Sequence, residues 1–167
     1  MSLEELNEQI RNCRRCRLWQ GAKNAVPGEG PETARVMLVG QNPGAKEDET
    51  GRPFMGRAGK FLNKALAANG INREDLFVTN LVKHTSPGNR RPFADEIEAC
   101  APYLTQQISV IKPRIVVLMG AVAWRAPRVE GGEYMQTVHP SAAMRFNKMR
   151  KRFLEDVATL KNRMAVQ

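Results

Sequence analysis

Two stretches constrain this chain more than any others: Ala34-Arg35-Val36-Met37-Leu38-Val39-Gly40 and Arg114-Ile115-Val116-Val117-Leu118-Met119-Gly120. Each is a nearly continuous apolar run closed by glycine, with no alternation of polar residues. That is the pattern of a strand buried on both faces. Asp75-Leu76-Phe77-Val78-Thr79-Asn80 reads as another strand, and Gly132-Glu133-Tyr134-Met135-Gln136-Thr137-Val138 as a fourth, less apolar one. Between them lie helical patterns at residues 3–12, 57–69 (Ala58, Phe61, Leu62, Ala65 and Leu66 at helical spacing, stopped by Asn69-Gly70), 93–110 and 147–164. Residues 41–56 and 85–92 are rich in Gly and Pro and read as loops. Strands alternating with helices predict a three-layer α/β/α sandwich around a central four-stranded parallel sheet. No repeat or long linker divides residues 1–167, so one domain is expected.

Composition narrows the partners. The 167 residues are about one domain's length. No run of about 18 apolar residues occurs, and the acidic start Met1-Ser2-Leu3-Glu4-Glu5 is unlike a signal peptide. The expectation is a cytoplasmic, nucleoid-associated monomer that makes no use of a membrane. Lys and Arg total 26 against 17 Asp and Glu, a formal charge of +9, which favours polyanions through counterion release. The basic residues cluster at Arg11 to Arg17, at Arg90-Arg91, and from Arg145 to Arg152. The three cysteines form an odd set, which argues against a disulfide framework, and Cys13-Arg14-Arg15-Cys16 has the spacing of metal or redox chemistry.

In parallel sheets ligands bind beyond the carboxyl ends of the strands. Here those ends carry Gly40-Gln41-Asn42-Pro43, Asn80, Gly120 and His139. Gln, Asn, Asn and His are neutral hydrogen-bonding groups at pH 7, suited to the edge of a neutral heterocycle. No Gly-Lys-Ser/Thr follows any strand, so a phosphate-cradling loop is excluded. Ser141 sits on no Gly-x-Ser-x-Gly elbow, and a Ser/His/Asp hydrolase is poorly supported.

The same residues carry a family resemblance. Gly40-Gln41-Asn42-Pro43-Gly44-x-x-Glu47-Asp48 with Gly51-x-Pro53-Phe54-x-Gly56-x-Ala58-Gly59, then Thr79-Asn80-x-Val82-Lys83 with Pro87-x-Asn89-Arg90-x-Pro92, then His139-Pro140-Ser141-Ala142-x-x-Arg145 resemble, in order, the motifs of the iron-sulfur (family 4) uracil-DNA glycosylases. The likeness implies base flipping and excision of uracil from DNA containing deaminated bases, leaving an abasic site. Phe54 would stack on the flipped base, Asn80 would read the pyrimidine edge, and His139 would donate a hydrogen bond to the departing base at O2. Gly40 and Ser141 would line the same substrate site.

The water-activating position departs from that family, which usually carries glutamate where this chain has Gln41. Asn42 matches the water-positioning asparagine of mismatch-specific and single-strand-selective relatives. An amide orients water but cannot take its proton. Asn42 is therefore expected to hold the water, Gln41 to help hold the base, and Glu47 or Asp48 to stand as alternative bases. The resemblance places DNA contacts on the loop after His139, with Arg145 on a phosphate and Met144 either an apolar wedge or packed on the C-terminal helix. The basic clusters at Arg90-Arg91 and Lys148 to Arg152 either flank the strand or are solvated faces. The Arg125-Ala126-Pro127-Arg128 connection is shorter than in most relatives, which would open the pocket.

The family's four cluster ligands fall on Cys13, Cys16, His84 and Cys100, with histidine in place of one cysteine. Spacing alone suits tetrahedral zinc at least as well. The resemblance implies a structural [4Fe–4S] cluster, because a related branch also has Val-Lys-His here and imidazole can ligate one iron. That branch crosslinks to uracil-DNA through a further histidine, and residues 85–99 contain none. Two other readings remain open: a broader hypoxanthine or xanthine glycosylase, motivated by Asn42, and a catalytically weak uracil-DNA-binding iron-sulfur protein, motivated by the missing glutamate.

Overall fold

A computed structural model describes residues 1–166. Four strands, β1 (Val36–Gly40), β2 (Phe77–Asn80), β3 (Ile115–Met119) and β4 (Glu133–Thr137), form one parallel sheet in the order β2-β1-β3-β4. The helices are α1 (Leu3–Arg11), α2 (Ala45–Thr50), α3 (Arg57–Ala68), α4 (Ala94–Ile111), α5 (Pro140–Arg145) and α6 (Asn147–Ala165).

Alternate residues along each central strand feed opposite cores, as the period of two requires. Met37, Val39, Val116 and Leu118 pack with residues of α1 and α4. Val36, Leu38, Ile115 and Val117 pack with residues of α3, α5 and α6. The two central strands are thus covered on both faces, which is why their sequences show no polar alternation. Edge strand β4 is half exposed along its length and reads accordingly as less apolar. The three-layer α/β sandwich follows from these two cores.

Two short helices depart from the sequence reading. The stretch from Gln41 to Gly56, read as loop, contains α2, and α5 follows His139 directly. Each has six residues, too few for apolar periodicity to show. α2 is fixed by a carboxylate: Glu47 Oε1 accepts the Gly44 N–H at its start. α5 begins where His139 caps it and Pro140 supplies a preset φ. The helix read at residues 57–69 and those at both termini form within a residue or so of the expected bounds.

Candidate active site at the carboxyl ends of the strands

The strand register brings the rim together. Gly40 pairs with Asn80 across β1 and β2, and the ladder continues one step further through Leu81 N–H to Gly40 O (2.9 Å) and Val82 N–H to Gln41 O (3.0 Å). Across β3 and β4, Met119 pairs with Thr137, which sets His139 two residues beyond the sheet. Gln41, Asn42, Gly44, Glu47, Phe54, Asn80, Asn89, His139 and Ser141 line one cavity of about 240 Å³. That is below the range of drug-sized ligand pockets and suits a single flat heterocycle.

Glycine is required where the cavity floor is thinnest. A Cβ on Gly40 would lie 2.5 Å from Asn80 Oδ1 and 2.6 Å from Phe54 Cζ, so any side chain there would fill the site. A Cβ on Gly59 would meet the Phe54 carbonyl at 1.8 Å, so α3 can approach that segment only as glycine.

Phe54 is buried and has φ of 52°, in the left-handed region that bulky residues avoid. Its neighbours hold it there from both sides. Glu47 Oε2 accepts the N–H groups of Met55 (2.7 Å) and Gly56 (2.7 Å). From the other side the Arg73 guanidinium donates to Phe54 O (2.9 Å) and to Pro53 O. The ring lies stacked 5.8 Å from the His139 ring, at 27°. Sequence reasoning had no access to Arg73: it comes from a 3₁₀ turn nineteen residues after Phe54 (73 − 54), with no motif of its own.

Glu47 and Asp48, the alternative bases for water, both hold backbone, and Glu47 also lines the cavity. Glu47 accepts three backbone N–H groups and clamps the loop that carries Phe54. Asp48 accepts the N–H groups of Lys23 (2.8 Å) and Asn24 (3.0 Å) and ties an earlier segment to α2. These bonds make both carboxylates anchors of backbone, Glu47 through both oxygens and Asp48 through Oδ1.

His139 caps α5, its Nδ1 accepting the Ser141 N–H at 3.1 Å with Ser141 Oγ at 2.7 Å. An Nδ1 that accepts a backbone N–H leaves the proton on Nε2, the donor nitrogen available to a ligand. Burial pushes this imidazole down to about 4, against a smaller upward pull from Glu47. The ring is therefore neutral at pH 7. Asn80 is buried at the end of β2, and no protein hydrogen bond engages its side-chain amide among the described residues. A fully buried lysine, Lys83, supports it from behind: Nζ donates to Asn80 O (2.6 Å), Thr79 Oγ1 (2.8 Å) and Gln107 Oε1 (2.7 Å). Burial pushes that ammonium down to about 7.

Gln41 Nε2 donates to Asn42 Oδ1 at 3.1 Å, and Asn42 Nδ2 reaches His84 O and Ser86 Oγ, both at 3.3 Å. Asn42 thus joins the cavity to the loop behind it, and its Oδ1 keeps a second lone pair for water.

That loop leads to the sulfur corner. Cys13, Cys16 and Cys100 are free thiols. They lie within electrostatic range of one another, since the charges of Cys13 and Cys16 both raise Cys100, whose main cause of displacement to about 11 is burial. Cys100 Sγ accepts the Lys83 N–H at 3.3 Å, and the adjacent His84 is buried and shares a surface hollow with Cys13. Among the described residues no three or more His, Cys, Asp or Glu side chains are grouped to hold a metal ion. The four residues offer three soft thiols and an imidazole, with a backbone N–H already on one sulfur, a donor set that fits zinc or an iron-sulfur group. Glu96, one turn before Cys100 on α4, organises the corner: it takes Arg90 Nη1 (2.8 Å) and Nη2 (2.9 Å), Arg17 Nη1 (3.1 Å) and the Phe93 N–H (2.7 Å).

Arg90, expected to flank the DNA strand, is held bidentately by Glu96 and lies 3.7 Å over the Phe93 ring, which ties it to this corner. Met144 is half-buried, and Arg145 is exposed with no acidic partner among the described residues.

The three-layer α/β fold carries a small hydrogen-bonding cavity at its strand ends, lined by side-chain amides, an imidazole, an aromatic ring and the Glu47 carboxylate. Residues 27–161 match the model of the uracil DNA glycosylase superfamily. The chain is 42% identical to a Type-4 uracil-DNA glycosylase of Pyrobaculum aerophilum, over 95% of this chain and 92% of that one. It is 40% identical to one of Sulfurisphaera tokodaii (93% and 81% covered) and 36% identical to one of Thermotoga maritima (96% and 93%). The chain belongs to the uracil DNA glycosylase superfamily.

Proposed function

We propose that this protein excises uracil from DNA by hydrolysing its N-glycosidic bond. The observation that carries the reading is the cavity itself: a free Asn80 amide, a neutral His139 and the Phe54 ring converge on a space the size of one base. The target must leave the stack to reach such a cavity. Phe54 stacks on the flipped base, and Asn80 offers a donor and an acceptor to the O4 and N3–H edge. As the C1′–N1 bond breaks, its electron pair leaves with the base, and His139 Nε2–H stabilises the charge gathering on O2. Asn42 Oδ1 orients the water whose oxygen bonds to C1′, and the water's proton passes to solvent or to the departing uracil anion. The Asn42 amide cannot take that proton, so the enzyme relies on uracil as a good leaving group.

Cys13, Cys16, His84 and Cys100 would hold a [4Fe–4S] cluster, which when bound ties α1, the loop before residue 92 and α4 together. The DNA is met by Arg145 and the exposed basic face of α6, and the protein acts as a cytoplasmic monomer. No helix among the described residues is long and apolar enough to cross a membrane.

Labelled oligonucleotides carrying uracil, hypoxanthine or a T·G pair, treated with protein and then alkali, test the activity. Scission at uracil is expected. Scission at hypoxanthine with little at uracil would replace this reading with the broader deaminated-base enzyme, and binding without scission would make the protein a uracil-DNA binder.

A further inference from the structure

We propose that Phe146, at the elbow between α5 and α6, is the side chain that this protein lays against the DNA base stack. The inference rests on the reading that the chain acts on uracil in DNA. Two phenylalanines are strongly exposed, Phe93 (51%) and Phe146 (52%). Phe93 has an internal reason for its position: the guanidinium groups of Arg90 and Arg17 lie 3.7 Å and 5.6 Å from its ring centre. Among the described residues, neither an aromatic ring nor a guanidinium stacks on Phe146.

Helix formation does not explain Phe146 either. It is the N-cap of α6 and makes no side-chain cap bond, at a position where Ser, Thr, Asp or Asn would satisfy a free N–H. Its backbone, by contrast, is firmly set. Phe146 N–H donates to Ala142 O (2.9 Å), and Arg150 N–H donates back to Phe146 O (2.9 Å). The Arg150 guanidinium also grips Ala143 O (3.1 Å) and Met144 O (2.7 Å). The elbow therefore presents the ring from a rigid base.

Position and charge name the occupant. α5 separates Phe146 from His139, and its six residues at about 1.5 Å each span roughly 9 Å, about three base-pair steps. Met149, three residues on and 40% exposed, extends the apolar surface along α6. Arg145, Lys148 and Lys151, all exposed, lie within five residues of Phe146 along the chain, and among the described residues none has an acidic partner. An aromatic ring set among unpaired cations is the combination that takes stacked bases between phosphates. Met144, the wedge expected from the sequence, is half-buried within α5.

Base–aromatic stacking is worth roughly 5- to 150-fold in affinity. KM and kcat would be measured for Phe146→Ala, Phe146→Trp and Met144→Ala on duplex and single-stranded uracil oligonucleotides. Binding of each to a duplex with a stable abasic analogue beside 2-aminopurine would be followed by fluorescence. Phe146→Ala is expected to raise KM on duplex about tenfold, to raise it less than threefold on single strands, and to lose the fluorescence change on binding. Phe146→Trp should restore all three. A duplex KM within twofold of the parent, equal losses on both substrates, or a larger effect from Met144→Ala would overturn the proposal. If no uracil is excised by the parent protein, the functional reading fails, and the fluorescence measurement alone still supports or overturns the role of Phe146.

Discussion

At the rim of the sheet, the Asn80 amide and His139 Nε2 keep a free face toward the cavity while their backbones are fixed by β-ladder bonds, the Lys83 ammonium and the α5 cap. At the sulfur corner the arrangement is reversed. Glu96, Arg17 and Arg90 are held by one another, and the segments around Cys16, His84 and Cys100 depend on those ion pairs for their placement. The cavity residues are borne by the fold; the corner residues help to make it. Asn42 joins both, touching Gln41 on one side and the His84 carbonyl on the other, as does Lys83 through Asn80 O and Cys100 Sγ. Substitutions should therefore separate cleanly into losses of chemistry and losses of stability, with Asn42 between them.

The largest expected effect is at the rim. His139→Ala should lower excision by about 10²- to 10³-fold, the usual loss for a donor to developing negative charge. Its melting temperature should fall by only about 2 to 4 °C, since the losses are the Ser141 contacts and the stack on Phe54. Single-turnover kinetics and a thermal melt together check this, and a large drop in melting temperature would erase the distinction drawn above.

The converse test is Glu96→Gln. Breaking a buried, doubly paired carboxylate should lower the melting temperature by about 10 °C. The effect should depend on pH. The Arg90 hydrogen bond holds the Glu96 carboxyl at about 2, below the usual carboxylate range. Its stabilisation is thus complete above about pH 5 and is lost as pH falls toward 2. The parent should lose stability across that window and Glu96→Gln should lose less, as chemical denaturation at several pH values would show.

Asn42→Ala should register on both scales more weakly, with roughly tenfold slower excision and a melting temperature lower by a few degrees. A change in only one of them would assign Asn42 wholly to one region. The smallest effect belongs to the cations. Arg145→Ala should reduce the salt dependence of DNA binding by about one phosphate contact, whereas Arg90→Ala should leave that slope unchanged and lower stability. Equal slopes for the two variants would return Arg90 to the DNA surface.

Much of the cavity was legible in the sequence because it is built from strand ends. An apolar run closed by glycine announces where β1 stops, and whatever follows must stand on the rim, so Gln41, Asn42, Asn80 and His139 could be placed together. The cysteine spacing likewise marked one corner. What stayed hidden depends on partners far apart in the chain. Nothing local marks Arg73 as the support of Phe54, Glu47 as a clamp on three backbone N–H groups, or Arg90 as the partner of Glu96.

The sequence by itself thus determined the layers, the parallel sheet and the set of residues at its carboxyl edge, because periodicities of two and 3.6 are local properties of the chain. The tertiary structure alone decided which polar atoms remain free. Whether an Asn, a Glu or an Arg can act on a ligand depends on whether its lone pairs and protons are already taken, and those partners meet only when the chain has folded. The same holds for the two exposed phenylalanines: Phe93 lies between two guanidinium groups, while Phe146, alike in residue type, stands uncovered at the elbow beyond His139.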